Sequence, residues 1–214
     1  MLCFLGSTHA ANHLHRAARQ RGLILTNDPG RASVVFVSED AAIGENGARD
    51  LTRVNRLLET AKATTAQIVL TSQVPPGFTR SLKIPNILHQ AETLRIIDAE
   101  ERALNPEYIA VGGDGELHPH YAEYLLAFKC PVLRMSWEEA EMSKIAVNMF
   151  LAAQVDTTNR LAAASARVGA KWENVAKALA LDSRIGPECY LKPGRWQDSQ
   201  HLLRDAVTLK EIES

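Results

Sequence analysis

Two side chains with useful chemistry, Lys144 and Asn148, lie four residues apart in a segment otherwise rich in apolar residues. On a helix this spacing puts both groups on one face. An ammonium group and an amide are hydrogen-bond donors, and such donors stabilise negative charge that develops on an oxygen. The pair indicates either a polar site or, equally well from this stretch alone, a solvated lysine beside a surface asparagine.

The element that must position these two groups is a helix predicted over residues 136–169. Ser136 is a plausible N-cap, Glu138 and Glu139 lie in the first turn, and Gly169 provides the stop. Such a helix would be roughly 45 Å long, which is more than one compact domain needs. We therefore predict that it joins two parts of the molecule or two subunits, and we expect a homodimer through residues 138–168.

The bulk composition is that of an ordinary globular protein. The 214 residues carry a net charge of −1, which gives no electrostatic reason to expect nucleic acid or an anionic membrane as a partner. The three cysteines are odd in number and lack metal-ligand spacing, which suits a reducing compartment. No basic leader and no apolar segment of bilayer length is present. We expect a cytoplasmic protein without a membrane partner.

The amino-terminal region begins like a nucleotide-binding unit. An apolar strand over residues 1–5 runs into a glycine turn, and a helix over about residues 10–20 follows. The fingerprint G-x-G-x-x-G is degenerate, because Gly6 keeps its first position while Thr8 and Ala11 hold the second and third. Gly6, Ser7 and Thr8 are therefore the candidate residues for binding the phosphates of a cofactor.

The strand and helix that would hold the adenosine ribose of such a cofactor are missing or rebuilt. Only about ten residues separate Gly22 from Ser33, too few for another strand and helix. Asn27 and Asp28 are the remaining ribose-binding candidates, and turn chemistry explains them equally well.

Further strands are predicted over residues 33–37, 67–71, 108–112 and 131–135, with helices over residues 50–62, 120–128 and 171–181. Ser72 and Gln73 follow the second of these strands and precede a Pro-Gly turn, at the sheet edge where ligands bind in open α/β folds. We predict a trimmed Rossmann-like parallel sheet in residues 1–135, followed in residues 136–214 by the long helix and a small helical segment.

The order of motifs resembles the UDP-glucose/GDP-mannose dehydrogenase family. The matching segments are LCFLGS, SVVFVSED, VLTSQVPPGFTR, ETLR, LNPEYIAVGG, EEAEMSKIAVNMF, LDSRIGPECYLKPG and a final R-D pair. The resemblance implies NAD-dependent oxidation of the C6 alcohol of a UDP- or GDP-sugar to a carboxylate, in two hydride transfers. It also implies a second, nucleotide-sugar-binding domain that would begin where this chain ends.

The resemblance carries roles to individual residues. Lys144 and Asn148 match the Lys and Asn thought to polarise the substrate oxygen and hold the catalytic water, and Glu92 matches a candidate acid/base. Gln73 stands at a threonine of the family pattern, and Ser72 is retained. Three positions match the family's substrate-binding segments: Leu94, Arg184 and Lys192. For Arg184, an ion pair with Asp182 or Glu188 is the competing explanation.

The main departure from the family pattern is in GRWQDSQHLLRD, residues 194–205. Asp205 and Arg204 are kept, but His201 stands where the family has its nucleophilic cysteine. An imidazole at this place is more naturally a base than a nucleophile, so the second oxidation has lost its nucleophile. Cys189 lies twelve positions upstream, before the Lys192-Pro193-Gly194 turn, and is a poor substitute.

Two functions remain open on the sequence. The chain is either a dehydrogenase that performs a partial reaction with Lys144, Asn148, Glu92, His201 and Asp205, or an inactive relative that binds a nucleotide sugar or a partner chain. The histidine pairs His13/His15 and His118/His120 lack a completing carboxylate or cysteine. We therefore expect no metal.

Overall fold

A computed structural model describes residues 1–44 and 48–214. These residues form two compact units, Met1–Lys144 and Ile145–Ser214. The long helix α6 passes from the first unit into the second. None of the described helices is both long and apolar enough to cross a membrane.

The strands are β1 (Leu2–Leu5), β2 (Val34–Val37), β3 (Ala42–Ile43), β4 (Arg49–Asp50), β5 (Gln67–Leu70), β6 (Leu88–Gln90), β7 (Ile109–Gly112) and β8 (Val132–Met135). The helices are α1 (His9–Gln20), α2 (Thr52–Lys62), α3 (Phe78–Ser81), α4 (Ala99–Leu104), α5 (Pro119–Ala127), α6 (Trp137–Arg167), α7 (Trp172–Leu181) and α8 (Gln200–Glu213). Short 3₁₀ turns cover Pro29–Arg31, Ile96–Asp98 and Trp196–Asp198.

The first unit is built on a six-stranded sheet in the order β1-β2-β5-β6-β7-β8. Neighbouring strands are parallel except β6 and β7, which are antiparallel. The mainly parallel α/β fold confirms the predicted class. No strand was predicted at β6, because its apolar run is only Ile87 and Leu88 before two polar residues.

The outer side of β1 carries only the remnant of a strand. Leu25 forms an isolated parallel bridge with Leu2. Among residues 1–44 and 48–214, nothing else pairs with β1 on that side. The segment at Leu25 thus lies on one side of β1, and β2 lies on the other. This change of side makes the carboxyl end of β1 the topological switch point.

Alternation along the strands gives the sheet two apolar faces. On β2, Phe36 belongs to one buried cluster together with Tyr121 and Tyr124 of α5. Val35 and Val37 belong to the other, together with residues of α2 such as Leu58. Each of these side chains is at most 1% exposed. A strand buried on both faces explains why β2 reads as a continuous apolar run.

The start of α6 belongs to the first unit and is capped as the sequence predicts. The Ser136 hydroxyl accepts the Glu139 N–H at 3.3 Å, and the Glu139 carboxylate accepts the Ser136 N–H at 2.7 Å. This reciprocal pair is a capping box. One turn later, buried Glu141 accepts the backbone N–H groups of Gly77 and Thr79.

The second unit consists of the remainder of α6 with α7, α8 and the loop between them. Polar side chains of α6 bind that loop. Thr158 donates to the carbonyl of Tyr190 at 2.8 Å, and Asn159 both donates to Gly194 at 2.8 Å and accepts from it at 3.0 Å. The loop that follows α7 therefore has a fixed path along α6.

Candidate functional site

The turn after β1 has a strict requirement for glycine. Gly6 has φ +131°, and a Cβ at this position would lie 1.8 Å from the backbone oxygen of Ser38. Thr8 is the N-cap of α1: its Oγ1 accepts the Ala11 N–H at 3.2 Å and donates to the Ser38 carbonyl at 3.3 Å. The turn and the end of β2 are therefore in direct contact.

A carboxylate from β2 reaches this turn. Glu39 lies two residues after the end of β2, its side chain is 5% exposed, and it accepts the Ser7 N–H at 3.3 Å. The guanidinium of Arg53 lies 3.8 Å from its other oxygen. Sequence reasoning did not single out Glu39. Its position just past the carboxyl end of a buried parallel strand is the signal that could have found it.

Ser72 and Gln73 lie beside this turn, at the carboxyl end of β5. Ser72 is buried, and its hydroxyl accepts the Glu39 N–H at 2.8 Å. The Gln73 carbonyl accepts a hydrogen bond from Arg49 at 3.4 Å. The structure thus brings Gly6, Thr8 and Ser72 together around the end of β2.

Glu92 and Leu94 lie in the loop after β6, away from the glycine turn in the sheet order. The Glu92 carboxylate accepts the backbone N–H of Leu94. Both residues line a cavity of about 20 Å³, a volume that suits about one water molecule and not a sugar. Gln90, also in its lining, is hydrogen-bonded to two buried tyrosine hydroxyls, those of Tyr121 and Tyr124. Burial raises the pKa of Tyr124 to about 12.

Lys144 and Asn148 lie one turn apart on α6, as predicted, but on either side of the division between the units. Lys144 is half-buried and is the last residue of the first unit. Asn148 is 6% exposed.

A short polar contact in the second unit joins two of the predicted site residues. The Asn148 side-chain amide donates to the Asp205 carboxylate at 2.6 Å, and Asp205 is fully buried. A buried carboxylate needs donors to offset the loss of water. The structure therefore brings together residues that lie 57 positions apart in the sequence.

His201 lies in the first turn of α8 and is exposed. Its Nδ1 is 3.2 Å from the guanidinium of Arg204, which is 3% exposed. Because a guanidinium only donates, Nδ1 is the acceptor in this contact. The imidazole at the position of the family's nucleophile is thus exposed and in contact with Arg204.

The predicted substrate-binding residues of the second unit are exposed. Arg184 donates to both carboxylate oxygens of Asp182, at 3.0 and 2.8 Å, and this contact holds the pKa of Asp182 below its ordinary value. The simple ion pair expected as the competing explanation is therefore present. Lys192 is exposed in the loop before α8.

The histidines have local roles. The Nδ1 of His118 accepts the His120 N–H at 3.1 Å and caps α5. Within the described ranges, 1–44 and 48–214, no three His, Cys, Asp or Glu side chains form a group that could hold a metal ion.

The sheet order and the glycine turn at the switch point define a Rossmann-like α/β protein. Two solved structures share this fold. The UDP-glucose dehydrogenase of Pyrobaculum islandicum matches with a TM-score of 0.74 and 20% identity, over 99% of this chain and 67% of its own. The UDP-D-ManNAc dehydrogenase of Pyrococcus horikoshii matches with a TM-score of 0.77 and 13% identity, over 100% of this chain and 68% of its own.

Sequence comparison places the chain more narrowly. Residues 138–212 match the central domain of the UDP-glucose/GDP-mannose dehydrogenase family. The UDP-glucose 6-dehydrogenase TuaD of Bacillus subtilis is 30% identical over 209 residues, which cover 89% of this chain and 45% of that protein. A UDP-glucose 6-dehydrogenase of Pseudomonas aeruginosa is 29% identical over 184 residues, which cover 72% of this chain and 39% of that protein. The chain belongs to the UDP-glucose/GDP-mannose dehydrogenase family and spans about half the length of these relatives.

Proposed function

We propose that this chain is a nucleotide-sugar-binding member of its family that does not carry out the complete oxidation to a carboxylate. The observation that carries the proposal is the exposed His201 at the position of the family's cysteine. An imidazole cannot form the thioester through which a thiolate releases a carboxylate. The nearby Asn148–Asp205 pair keeps the polar groups of a substrate site.

The residues at the glycine turn do not fit the NAD that the family uses. Gly6 leaves room for the Ser38 carbonyl and not for a ligand, and the Glu39 carboxylate already lies on the Ser7 N–H, 3.3 Å away. A pyrophosphate brought to the same N–H groups would meet this negative charge at close range. We therefore derive no hydride-transfer step for this chain.

A second candidate function is a single NAD-dependent oxidation of a nucleotide-sugar alcohol. The retention of Lys144 with Asn148 on one stretch of α6 favours it, because an ammonium and an amide stabilise a developing alkoxide. Incubation with NAD⁺ and UDP-glucose, monitored as NADH absorbance, separates the two candidates. Steady NADH formation would support this second function and would show that the chain does more than bind the nucleotide sugar.

The proposed function is tested by isothermal titration calorimetry with UDP-glucose and GDP-mannose. We expect one of them to bind the wild-type protein with Kd below about 100 μM. Asn148→Ala and Lys144→Ala should each weaken binding about tenfold or more. Lys177→Ala is the matched control, since Lys177 is exposed on α7, and it should bind as the wild type does. Folded wild-type protein that binds neither compound would overturn the proposal.

We also propose that the protein forms a homodimer through residues 138–168. Three apolar side chains recur on one stripe of α6 at helical spacing: Val147, 43% exposed, Phe150, 75% exposed, and Leu161, 44% exposed. Exposed apolar residues on a shared stripe favour burial against a second copy.

We also propose that the protein is cytoplasmic. Cys3, Cys130 and Cys189 are all free thiols. Unpaired cysteines are typical of a reducing compartment.

A further inference from the structure

The site at which this fold would bind the phosphates of a cofactor lies at the amino end of α1. The sheet order makes the carboxyl end of β1 the switch point, and α1 starts there after Gly6. The helix has 12 residues, and its own first turn contains no acidic residue. Its positive end is thus without a carboxylate from its own sequence.

Glu39 supplies that carboxylate from the end of β2. One of its oxygens accepts the Ser7 N–H at 3.3 Å, and the other lies 3.8 Å from Arg53. Arg53 also lies 3.5 Å from the Ser7 hydroxyl. A backbone N–H at a helix start and a guanidinium are the two kinds of partner that a phosphate takes.

The position of this carboxylate is fixed by the fold. The Glu39 side chain is 5% exposed, and its backbone N–H is held by the Ser72 hydroxyl at 2.8 Å. The preceding residue, Ser38, is fixed in turn, because its carbonyl fills the space beside Gly6 and accepts the Thr8 hydroxyl. The backbone at Glu39 is therefore held beside the turn, and the buried carboxylate extends from it to the Ser7 N–H.

We propose that the Glu39 carboxylate occupies the site at which this fold would bind the phosphates of a dinucleotide, and that it excludes NAD by its charge and position. The Glu39 carboxylate takes the place of the ligand's phosphate. Arg53 then neutralises this carboxylate instead of a bound phosphate. This goes beyond the proposed nucleotide-sugar binding and does not depend on it, since it concerns only the first unit.

The test is calorimetric titration of NAD⁺ and of ADP into the wild-type protein, Glu39→Gln and Glu39→Ala at low ionic strength. We expect wild-type Kd values above about 1 mM, and values at least about tenfold lower in both variants, because a like charge at contact distance is removed. Inorganic pyrophosphate should compete with NAD⁺ for Glu39→Ala. Adding Arg53→Ala to that variant should reduce the gained affinity.

The matched control is Glu59→Gln, which removes the same charge from a side chain of α2 that is 71% exposed. It should bind NAD⁺ no better than the wild type. Thermal unfolding verifies that each variant is folded. Micromolar NAD⁺ binding by the wild type would overturn the inference, even if neither variant folds. Folded Glu39 variants with wild-type affinity would overturn it as well. The UDP-glucose and GDP-mannose titrations report on the proposed function separately.

Discussion

The Glu141 carboxylate of α6 accepts the Thr79 N–H at 2.8 Å with one oxygen and the Gly77 N–H at 2.6 Å with the other. Glu141 is 1% exposed, and burial raises the pKa of its carboxyl group while both hydrogen bonds oppose that rise. The two N–H groups begin the four-residue helix α3. One buried side chain therefore fastens the loop after β5 to the start of the long helix.

Replacing Glu141 should loosen this loop. Glu141→Ala leaves two N–H groups without their acceptor, and we expect a loss of about 2–4 kcal/mol in the free energy of unfolding. Hydrogen exchange should accelerate at the amides of Gly77 and Thr79 in particular. Glu123→Ala, an exposed change on α5, should alter stability by less than about 0.5 kcal/mol. Equal losses in the two variants would show that the Glu141 contact contributes nothing.

Gly6 and Gly194 give a matched pair of alanine substitutions. At Gly6 the new Cβ would meet the Ser38 oxygen at 1.8 Å in a backbone with φ +131°, whereas at Gly194 nothing lies within 4 Å. We expect Gly6→Ala to cost at least about 3 kcal/mol and Gly194→Ala to stay within about 1 kcal/mol of the wild type. Urea denaturation followed by circular dichroism measures both. A Gly6→Ala protein of wild-type stability would contradict the close contact between the turn and β2.

The Asn148–Asp205 hydrogen bond should appear as an energetic coupling. In a double-mutant cycle of Asn148→Ala and Asp205→Ala, we expect a coupling of about 1–3 kcal/mol. The same cycle with Asn159→Ala is the comparison, because the Asn159 side chain binds Gly194 instead, and its effect should add to that of Asp205→Ala. Strict additivity in the first cycle would show that the amide and the carboxylate stabilise the fold independently.

His89 should make the first unit sensitive to acid. It is 2% exposed on β6, and desolvation lowers its pKa from 6.5 to about 4. The unfolded chain therefore binds a proton that the folded chain does not, and stability falls as the pH drops from 6.5 towards 4. The loss approaches about 3 kcal/mol.

The measurement is the free energy of unfolding of wild type and His89→Gln across this range of pH. The difference between the two slopes isolates His89 from the carboxylates that also titrate in acid. If wild type and His89→Gln show the same slope, His89 does not titrate as a buried neutral group.

Phe150 tests the proposed homodimer. We expect the wild type to sediment as a dimer at about 10 μM and Phe150→Asp to sediment as a monomer, because a charge on the stripe would be desolvated in the interface. Leu181→Asp is the control, since Leu181 is 87% exposed but lies on α7. A wild-type monomer at this concentration would rule the dimer out.

Local patterns predicted much of the fold. Continuous apolar runs identified β1, β2, β5 and β7, because strands buried on both faces carry apolar residues without alternation. β8 was also predicted as a strand, but it is the exposed edge strand of the sheet. The capping residues around Ser136 located the start of α6 within one residue. β6 was missed, because a three-residue strand that ends in His89 and Gln90 is held by its neighbours and not by its own pattern.

The candidate site likewise combines features that the sequence predicts with contacts that only the structure shows. The sequence alone determined the α/β class and the long helix, because these depend on local periodicity and on caps. It also identified Gly6, Asn148, His201 and Asp205 as candidate residues, because these follow from the order of motifs. Only the tertiary structure decided that Glu39 binds the turn at Ser7, that Glu141 holds Gly77 and Thr79, and that Asn148 meets Asp205. Each of these contacts spans at least 32 positions. The physical reason is that strand order and burial bring distant segments together and so determine which donors a carboxylate meets. No local sequence pattern contains this information.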